Sequence, residues 1–535
     1  MKKYVIEREA QLPRAAYPEE VGIDSRVLRR IVDDLTAQNL ELHTLMVLRH
    51  GKVAFETYRA PYAPQYPHVM FSVSKSVTSC AVGFAVSEGR LTLETPVLEI
   101  IPELCADENQ AFMRNMTVWH LITMTAGKVM SYTADKRKNQ WIQDFADARW
   151  NYAPGEGWNY CNENIYLLCV ILHRVCGCSV VEYLTPRLFE PLHIPVPVWE
   201  TDGSKIEAGG WGLQLTTESL AKITLCYTQG GVFDGKQVIP ADWVAASGSA
   251  QVMQPMQGDR FAGNGYGYCH WINPYPNSFR SDGVFSQAGI VFLDESACIV
   301  YTGGEAFADK VLDCVFLHVP DLFCEPRHEP AIDAKSIALP AYQTLYQTPR
   351  SVMMERFLDG KVIHFAQAAQ TVPELVGYPV SVMPFVVFFM SAEKAGGVNF
   401  IRMRFEENAL KFSWSEGDER NTILCGMDGV PRVCKIKLGG LDFIVASEAA
   451  WEGGSKLHVW VRPLGSVAQR RMTFTFRGNQ VRMLPRSNPA LHAIADFFEP
   501  FLHDTVGNPV IATVAAKSLS KVAMLAEPLH IGTVR

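Results

Sequence analysis

The stretch FSVSKSVTSCAVGFAVSEGR, residues 71–90, is the most informative part of this chain. It places Ser72 and Lys75 three residues apart, which puts a hydroxyl and an amine on one face of a helix, a single turn apart. A serine hydroxyl is a poor nucleophile until a neighbouring base takes its proton, and a lysine in a dry site can be that base. A buried helix beginning at Ser72 would also aim backbone N–H groups at an oxyanion formed there.

The Ser-x-x-Lys tetrad alone is a weak signal because it occurs four times in the chain, and at least three of the copies must have no catalytic role. We predict that the second copy lies on a solvated helix face after a threonine cap, the third in a turn and the fourth in a C-terminal helix. The copies are Ser72/Lys75, Ser219/Lys222, Ser391/Lys394 and Ser518/Lys521.

Length and composition describe an ordinary globular protein. A chain of 535 residues predicts two or three domains, and a net charge of −7 gives no electrostatic reason to expect nucleic acid or an anionic membrane as partner. The N-terminal sequence lacks the apolar core of a secretory signal, and the longest apolar run, 380–390, is too short to span a bilayer. Thirteen scattered cysteines are typical of reduced thiols, so we expect a cytoplasmic protein.

The order of sequence patterns predicts a composite first domain. Residues 42–58 suggest two strands joined by a turn at 50–52, and the pattern from 72 to about 230 is mostly helical. Strands return between 262 and 318, in the stretches YGYCHWI, VFSQAGIVFLD and ACIVYTGG. We therefore expect an α/β domain whose sheet is built from both ends of this segment, with a helical lobe between them and a pocket between sheet and lobe.

The character of the chain changes after Ala331. Short alternating strands with turn signals recur from about 361 to 485, a pattern typical of an antiparallel barrel or sandwich. We predict a hydrolase-like domain over 1–335 and a mostly β domain over 336–535. This second domain carries no recognisable chemistry, and it could shape the pocket mouth, mediate a homo-oligomer or cover an edge of the first domain.

Several further stretches follow the Ser72 segment in a familiar order. Together with it, residues 40–320 resemble the serine β-lactamase-related superfamily: class C β-lactamases, penicillin-binding DD-peptidases, and the esterases and amidases that share their fold. The resemblance implies an α+β fold of the β-lactamase/transpeptidase type, with an antiparallel sheet flanked by helices plus a helical lobe. The stretches that carry it are MTVWHLITMTAG, APGEGWNYCNENIYLL, RVCGCSVVEYLTPRLFEPLHI and GGWGLQLTTESLAKI.

The resemblance implies that Ser72 is the acylated nucleophile and Lys75 its partner. The second element is then Tyr160-Cys161-Asn162, in which the tyrosine exchanges protons with the serine and the leaving group, and Asn162 orients the lysine and the acyl side chain. An isolated tyrosine, with a pKa near 10, is too weak a base at neutral pH. We expect the neighbouring ammonium to lower the pKa of Tyr160 until the phenolate is attainable, so that Lys75 and Tyr160 act as one coupled proton store.

The third element of this superfamily lies on a strand that lines the pocket and reads Lys-Thr-Gly or a variant. The best candidate is Gln287-Ala288-Gly289, with the N–H of Ile290 joining that of Ser72 as second oxyanion donor. Glycine would let the acyl group approach the strand. A glutamine in place of lysine offers only a neutral amide, which disfavours a substrate carboxylate and with it efficient penicillin recognition.

These observations predict a serine hydrolase that works through an acyl-enzyme, without metal or cofactor, on a small ester, amide or short peptide. The histidines show no metal-ligand spacing. Two alternatives remain open: a penicillin-binding or D-amino-acid peptidase or β-lactamase, and a binding module that kept the fold and lost turnover.

Overall fold

The structure, a computed structural model, describes residues 9–104, 110–129, 140–255, 263–342, 349–365, 381–384, 397–490 and 527–535. The described residues divide into two compact units, one ending at Pro340 and the other beginning at Ala341. The division falls within a few residues of the boundary that the sequence predicts between 335 and 336.

The first unit combines eleven α-helices with eleven strands among its described residues. Its helices are α1 (Ser25–Ala37), α2 (Val73–Ser87), α3 (Val97–Ile100), α4 (Gln110–Asn115), α5 (Val118–Ile122), α6 (Trp141–Asp147), α7 (Asn162–Cys176), α8 (Val180–Leu184), α9 (Thr217–Thr228), α10 (Ala241–Ser247) and α11 (Ala308–Leu322). Its strands are β1 (Leu42–Arg49), β2 (Lys52–Tyr58), β3 (His68–Val69), β4 (Val198–Trp199), β5 (Leu213–Leu215), β6 (Val232–Phe233), β7 (Lys236–Gln237), β8 (Trp271–Ile272), β9 (Ser278–Gly283), β10 (Gln287–Phe292) and β11 (Ala297–Gly303).

The central sheet is antiparallel, with strand order β2-β1-β11-β10-β9-β8. Strand β1 pairs directly with β11, so that Met46 lies opposite Val300 although the two are far apart in the chain. This pairing confirms the prediction that the sheet is built from both ends of the segment. After β2 the chain leaves the sheet and forms the helical lobe, α2 to α8. It returns to the sheet at β8.

Strand β9 is absent from the sequence prediction because SFRSDG lacks the apolar alternation that indicates a strand. The structure nevertheless pairs it along its whole length with β10, from Gly283 opposite Gln287 to Ser278 opposite Phe292. The short strand β8 covers only part of its other side, at Phe279 and Arg280. Strand β9, and not β10, therefore lies next to the edge of the sheet.

Helices pack against both faces of the central sheet through apolar side chains. Helix α1 places Leu28, Ile31 and Leu35 on one face, at the i, i+3 and i+4 spacing of an amphipathic helix, and packs with α11 over Ile290 and Ile299. The opposite face of the sheet carries α9, whose residues are all buried. Helix α2 is also buried, from Val73 to Ala85, and it packs against α7 and β9. The fold thus holds the N-terminus of α2, where Ser72 lies, beside the end of β9.

The second unit is an antiparallel β-barrel with the one short helix α12 (Val352–Leu358) among its described residues. Its strands are β12 (Val362–Phe365), β13 (Val398–Phe405), β14 (Ala409–Glu416), β15 (Glu419–Gly426), β16 (Arg432–Leu438), β17 (Leu441–Glu452), β18 (Lys456–Pro463), β19 (Gln469–Arg477), β20 (Gln480–Asn488) and β21 (His530–Val534).

Strands β15 and β16 stand at the two ends of the barrel's strand order, and side chains join them. The amide of Asn421 donates to the carbonyl of Lys437 at 2.7 Å and accepts from its N–H at 3.1 Å. A bridge between Gly426 and Glu448 adds to the closure. The interior is filled by alternating apolar residues of β13, β14 and β17 to β20. Of the two predicted architectures, barrel and sandwich, the barrel is the observed one.

Within the described residues no single helix is long and apolar enough to cross a membrane. One bent pair of helical segments, Asn162–Cys176 with Val180–Phe189, meets the length and composition criterion, and the two segments meet at 69°.

Candidate active site

The tetrad at Ser72 begins helix α2 and forms a hydrogen-bonded pair. Ser72 is the N-cap residue and is partly exposed, whereas Lys75, one turn later, is only 1% exposed. The Nζ atom of Lys75 donates to Oγ of Ser72 at 2.8 Å, to Oδ1 of Asn162 at 2.6 Å and to the carbonyl oxygen of Gly210 at 2.9 Å. A lysine amine in its charged form has three donors, and all three oxygens that it meets here are uncharged.

Burial lowers the pKa of Lys75 to about 7, because a dry site penalises the ammonium and its three neutral partners do not offset that penalty. Near neutral pH the amine is therefore present in its free form in a large fraction of molecules. A free amine 2.8 Å from the serine hydroxyl is correctly placed to take its proton.

Tyr160 lies beside the same pair, with its ring centroid 4.7 Å from Nζ of Lys75. Its ring stacks on Trp271 at a centroid distance of 5.7 Å. Burial raises the pKa of Tyr160 well above that of an ordinary phenol, and the hydrogen bond with Ser72 offsets only part of the rise. The expectation that the ammonium lowers this pKa and makes the phenolate attainable is therefore wrong. The phenol stays protonated, so it can give a proton to a neighbouring oxygen or nitrogen.

Asn162 is the first residue of α7 and follows Tyr160 by two positions. Its side-chain oxygen Oδ1 accepts a hydrogen bond from the Lys75 amine. One short segment therefore brings both the Tyr160 phenol and the Asn162 amide to Ser72 and Lys75. The structure thus places Ser72, Lys75, Tyr160 and Asn162 together, as the sequence-based assignment requires.

The assignment of Gln287, Ala288, Gly289 and Ile290 to the substrate site is wrong, because β10 is an inner strand. Ile290 pairs with Arg280 on one side and with Ile299 on the other, and it is fully buried, so its N–H is not available to an oxyanion. A Cβ on Gly289 would come within 2.4 Å of Oγ1 of Thr224. This glycine therefore admits helix α9 and not a substrate.

Gln287 itself is fully buried and its amide bonds to the backbone. Nε2 donates to the carbonyls of Phe285 at 2.9 Å and Gly303 at 3.0 Å, and Oε1 accepts from the N–H of Gly303 at 3.2 Å. The Gln287 side chain therefore joins the β9–β10 turn to the end of β11. None of these three hydrogen bonds is directed to Ser72. Gln287 therefore does not take the place of a carboxylate-binding lysine.

The glycine next to the nucleophile is Gly283, the last residue of β9. A Cβ at this position would lie 3.3 Å from the backbone nitrogen of Ser72 and 2.6 Å from the carbonyl oxygen of Met70. Only glycine permits so close an approach of strand to helix. The third element of the site is thus Ser281-Asp282-Gly283, and the N–H that follows it belongs to Val284.

The backbone around the nucleophile adopts unusual conformations. Phe71, directly before Ser72, has φ of 44°, and Phe285 and Ser286 in the β9–β10 turn have φ of 65° and 67°. Such left-handed geometry costs a non-glycine residue about 1–2 kcal/mol. The rings of Phe71 and Phe285 contact each other with centroids 5.4 Å apart, so packing between the two segments holds both in place.

The second tetrad does not lie on a solvated face, which corrects that prediction, although Thr216 does cap helix α9 as expected. Ser219 is 2% and Lys222 1% exposed. Both bond to the carboxylate of Glu9: Oγ of Ser219 donates to it at 2.6 Å and Nζ of Lys222 at 3.0 Å. The third and fourth tetrads, Ser391/Lys394 and Ser518/Lys521, lie outside the described residues.

In the part of the chain that the structure describes, no three His, Cys, Asp or Glu side chains come together in a way that could hold a metal ion. Sequence reasoning missed three features of the site: the Gly210 carbonyl, Gly283 and the neighbouring Asp282. Gly283 and Asp282 could have been found from the sequence Ser-Asp-Gly before a turn, but only if residues 278–283 had been recognised as a strand.

Comparison with known proteins shows which family the first unit resembles. Residues 28–303, just over half of the chain, match the profile of the family described as Beta-lactamase. A 6-aminohexanoate-dimer hydrolase of Paenarthrobacter ureafaciens is 28% identical over 262 residues, which cover 44% of this chain and 66% of that protein. A β-lactamase of Escherichia coli (strain K12) is 27% identical over 184 residues, 32% of this chain and 47% of that protein.

The chain thus spans less than two thirds of the length of these curated relatives. Among solved structures, a putative 6-aminohexanoate-dimer hydrolase from Bacillus anthracis matches with a TM-score of 0.49 and 20% identity, over 60% of this chain and 88% of that one. The extent of the family match, which runs from α1 to β11 and includes Ser72, Lys75, Tyr160 and Gly283, decides the relationship: the chain belongs to the β-lactamase family.

Proposed function

We propose that this protein is a serine hydrolase that cleaves small esters or amides through an acyl-enzyme. The single observation that carries the proposal is the buried Lys75 amine, 2.8 Å from Oγ of Ser72 and with a pKa lowered to about 7. The name of the relative from Paenarthrobacter ureafaciens, a hydrolase of an aminohexanoate dimer, is consistent with a small substrate.

In the acylation step the free amine of Lys75 accepts the proton of Ser72 while Oγ attacks the carbonyl carbon of the substrate. The carbonyl oxygen becomes an oxyanion, which the N–H groups of Ser72 and Val284 stabilise. The position of Gly283 against the Ser72 nitrogen supports this pair of donors. Each preorganised donor of this kind contributes about a hundredfold to the rate.

Collapse of the intermediate expels the alcohol or amine, which needs a proton. Tyr160 gives it, because its phenol is protonated and hydrogen-bonded to Ser72, and the Lys75 ammonium then returns the proton to Tyr160. Water attacks the acyl-enzyme along the reverse path, with Lys75 again as the base. The serine is thereby regenerated and the acid product leaves.

The decisive experiment compares Ser72→Ala with Ser219→Ala, its counterpart in the second buried tetrad. We expect the unmodified chain and Ser219→Ala to hydrolyse p-nitrophenyl esters and to be labelled by a fluorophosphonate at Ser72. Ser72→Ala should lose both properties while its circular dichroism spectrum is unchanged. Labelling that persists in Ser72→Ala, or is lost in Ser219→Ala, would overturn the assignment of the nucleophile.

A further inference from the structure

Tyr160 projects its phenol from an irregular part of the chain. Residues 158–161 form neither helix nor strand, and helix α7 begins at Asn162. The backbone is anchored next to the tyrosine, because the N–H of Asn159 donates to the carbonyl of Met124 at 2.8 Å. A fixed backbone still leaves a tyrosine side chain several staggered rotamers. The contacts of the ring itself therefore decide where the phenol oxygen lies.

Trp271 packs flat against the ring of Tyr160. The two ring centroids are 5.7 Å apart and the ring planes differ by 29°, an arrangement in which aromatic rings attract each other. Two other rings meet Trp271 edge-on, Trp158 at 5.7 Å and Tyr266 at 5.2 Å. These edge contacts restrain the indole, and the indole in turn restrains the phenol ring that stacks on it.

The backbone of Trp271 is tied to the strand beside the nucleophile. Trp271 lies in β8 opposite Arg280 of β9, whose guanidinium carbon is 5.8 Å from the indole centroid. Strand β9 continues to Gly283, which packs against the backbone nitrogen of Ser72. The stack between Trp271 and Tyr160 thus connects the segment that carries the proton donor to the strand that flanks the nucleophile.

Proton transfer to a leaving group requires this kind of restraint. The phenol of Tyr160 is hydrogen-bonded to Ser72, and its ring centroid lies 4.7 Å from Nζ of Lys75. A general acid must lie within hydrogen-bond reach of the atom that it protonates, and a displacement of about 1 Å can lower the rate about a hundredfold. A ring free to change rotamer would take the phenol oxygen away from Ser72.

We propose that Trp271 is a positioning residue that holds the phenol of Tyr160 where it protonates the leaving group. Trp271 therefore matters most for substrates with poor leaving groups, such as alkyl esters and amides. This inference rests on the proposed hydrolase function and adds a residue that acts through Tyr160.

The test compares p-nitrophenyl hexanoate with ethyl hexanoate. Both give the same acyl-enzyme, and kcat/KM reports the steps up to acylation, in which only the leaving groups differ. The p-nitrophenolate anion leaves without a proton, whereas ethoxide needs the proton of Tyr160. In Trp271→Leu we expect kcat/KM to fall about thirtyfold for the ethyl ester and less than about threefold for the p-nitrophenyl ester.

Conservative and control variants make the comparison specific. Trp271→Phe and Trp271→Tyr keep a ring for the stack, so the preference for the p-nitrophenyl ester should rise less in them than in Trp271→Leu. Trp119 is a partly exposed tryptophan of α5 that meets His120 edge-on. The matched change Trp119→Leu should leave the preference unaltered.

A double variant tests whether Trp271 acts through the phenol. Tyr160→Phe removes the acid and should by itself lower the rate on the ethyl ester far more than on the p-nitrophenyl ester. Adding Trp271→Leu to Tyr160→Phe should not increase the preference further, because two changes that remove one function are not additive. A further selective loss on the ethyl ester in this background would overturn the proposal.

The remaining outcomes are equally decisive. Equal losses of Trp271→Leu on both esters would make Trp271 a packing residue only, and a larger loss on the p-nitrophenyl ester would make it a contact of the leaving group; either overturns the positioning role. Should Trp271→Leu lose its circular dichroism spectrum, Trp271→Phe and Trp271→Tyr measure the same preference. Absence of turnover of both esters and of Ser72 labelling in the unmodified chain overturns the hydrolase proposal itself.

Discussion

The two Ser-x-x-Lys tetrads that the structure describes have the same residue spacing and different surroundings. Lys75 and Lys222 are both 1% exposed and both lie on buried helices. The Lys75 amine meets only uncharged oxygens, whereas the Lys222 amine meets the carboxylate of Glu9 at 3.0 Å and the carbonyl of His193 at 2.8 Å. The first lysine is therefore a candidate base, and the second is half of a buried ion pair.

The serines differ in the same sense. Ser72 is partly exposed and its Oγ accepts a hydrogen bond from the Lys75 amine, while Ser219 is buried and its hydroxyl donates a hydrogen bond to the Glu9 carboxylate. A carboxylate stabilises an ammonium and burial destabilises it, so the partner of the lysine decides whether the tetrad is reactive. The motif specifies only that the two side chains are close.

Giving Lys75 a carboxylate partner, as Lys222 has, should make its amine as unreactive as that of Lys222. Asn162→Asp places a carboxylate on the Lys75 amine, as Glu9 does for Lys222, at the first position of helix α7, where an acidic residue is well tolerated. We expect the pKa of Lys75 to rise by about two units. Ester hydrolysis at pH 7 should then decrease about fiftyfold and recover above about pH 9, as measured by kcat/KM across pH.

Asn162→Ala is the control, because it removes the hydrogen bond without adding charge. It should lower the rate without moving the acid limb of the pH profile upward. An Asn162→Asp enzyme with the rate and pH profile of the unmodified chain would show that the charge on Lys75 is irrelevant to turnover.

The pH profile of the unmodified protein tests the same comparison. Lys75 must be unprotonated to accept the Ser72 proton, and its pKa is about 7, so kcat/KM should fall as the pH decreases through 7. At pH 6 the expected rate is about a tenth of the plateau above pH 8. A profile that is flat between pH 6 and 9, or that rises toward acid pH, would exclude Lys75 as the base.

The smallest effect on catalysis is expected at the second tetrad. Glu9→Gln leaves the buried Lys222 ammonium without its carboxylate, which should lower the free energy of unfolding of the first unit by about 3 kcal/mol. The kcat/KM of the remaining folded enzyme should be unchanged. Thermal or urea unfolding measures the first quantity and ester hydrolysis the second; lost activity at undiminished stability would contradict the purely structural role of this ion pair.

Most of the architecture was predictable from local patterns. The β1–β2 hairpin, the helical insertion and the barrel strands follow from alternation, periodicity and turn residues. Strand β9 could not be predicted, because its sequence SFRSDG is mostly polar. It is a strand because it pairs with β10. That omission displaced the third site element onto Gln287-Ala288-Gly289, where the glycine serves helix packing.

The sequence by itself determined that a serine and a lysine stand one helical turn apart, and that a tyrosine and an asparagine flank the start of a later helix. These relations are local, because helix geometry alone places residues three positions apart on one face. Only the tertiary structure decided which lysine is a base. Its partners come from far along the chain, Asn162 and Gly210 for Lys75 and Glu9 for Lys222, and the charge that folding places beside each amine sets its chemistry.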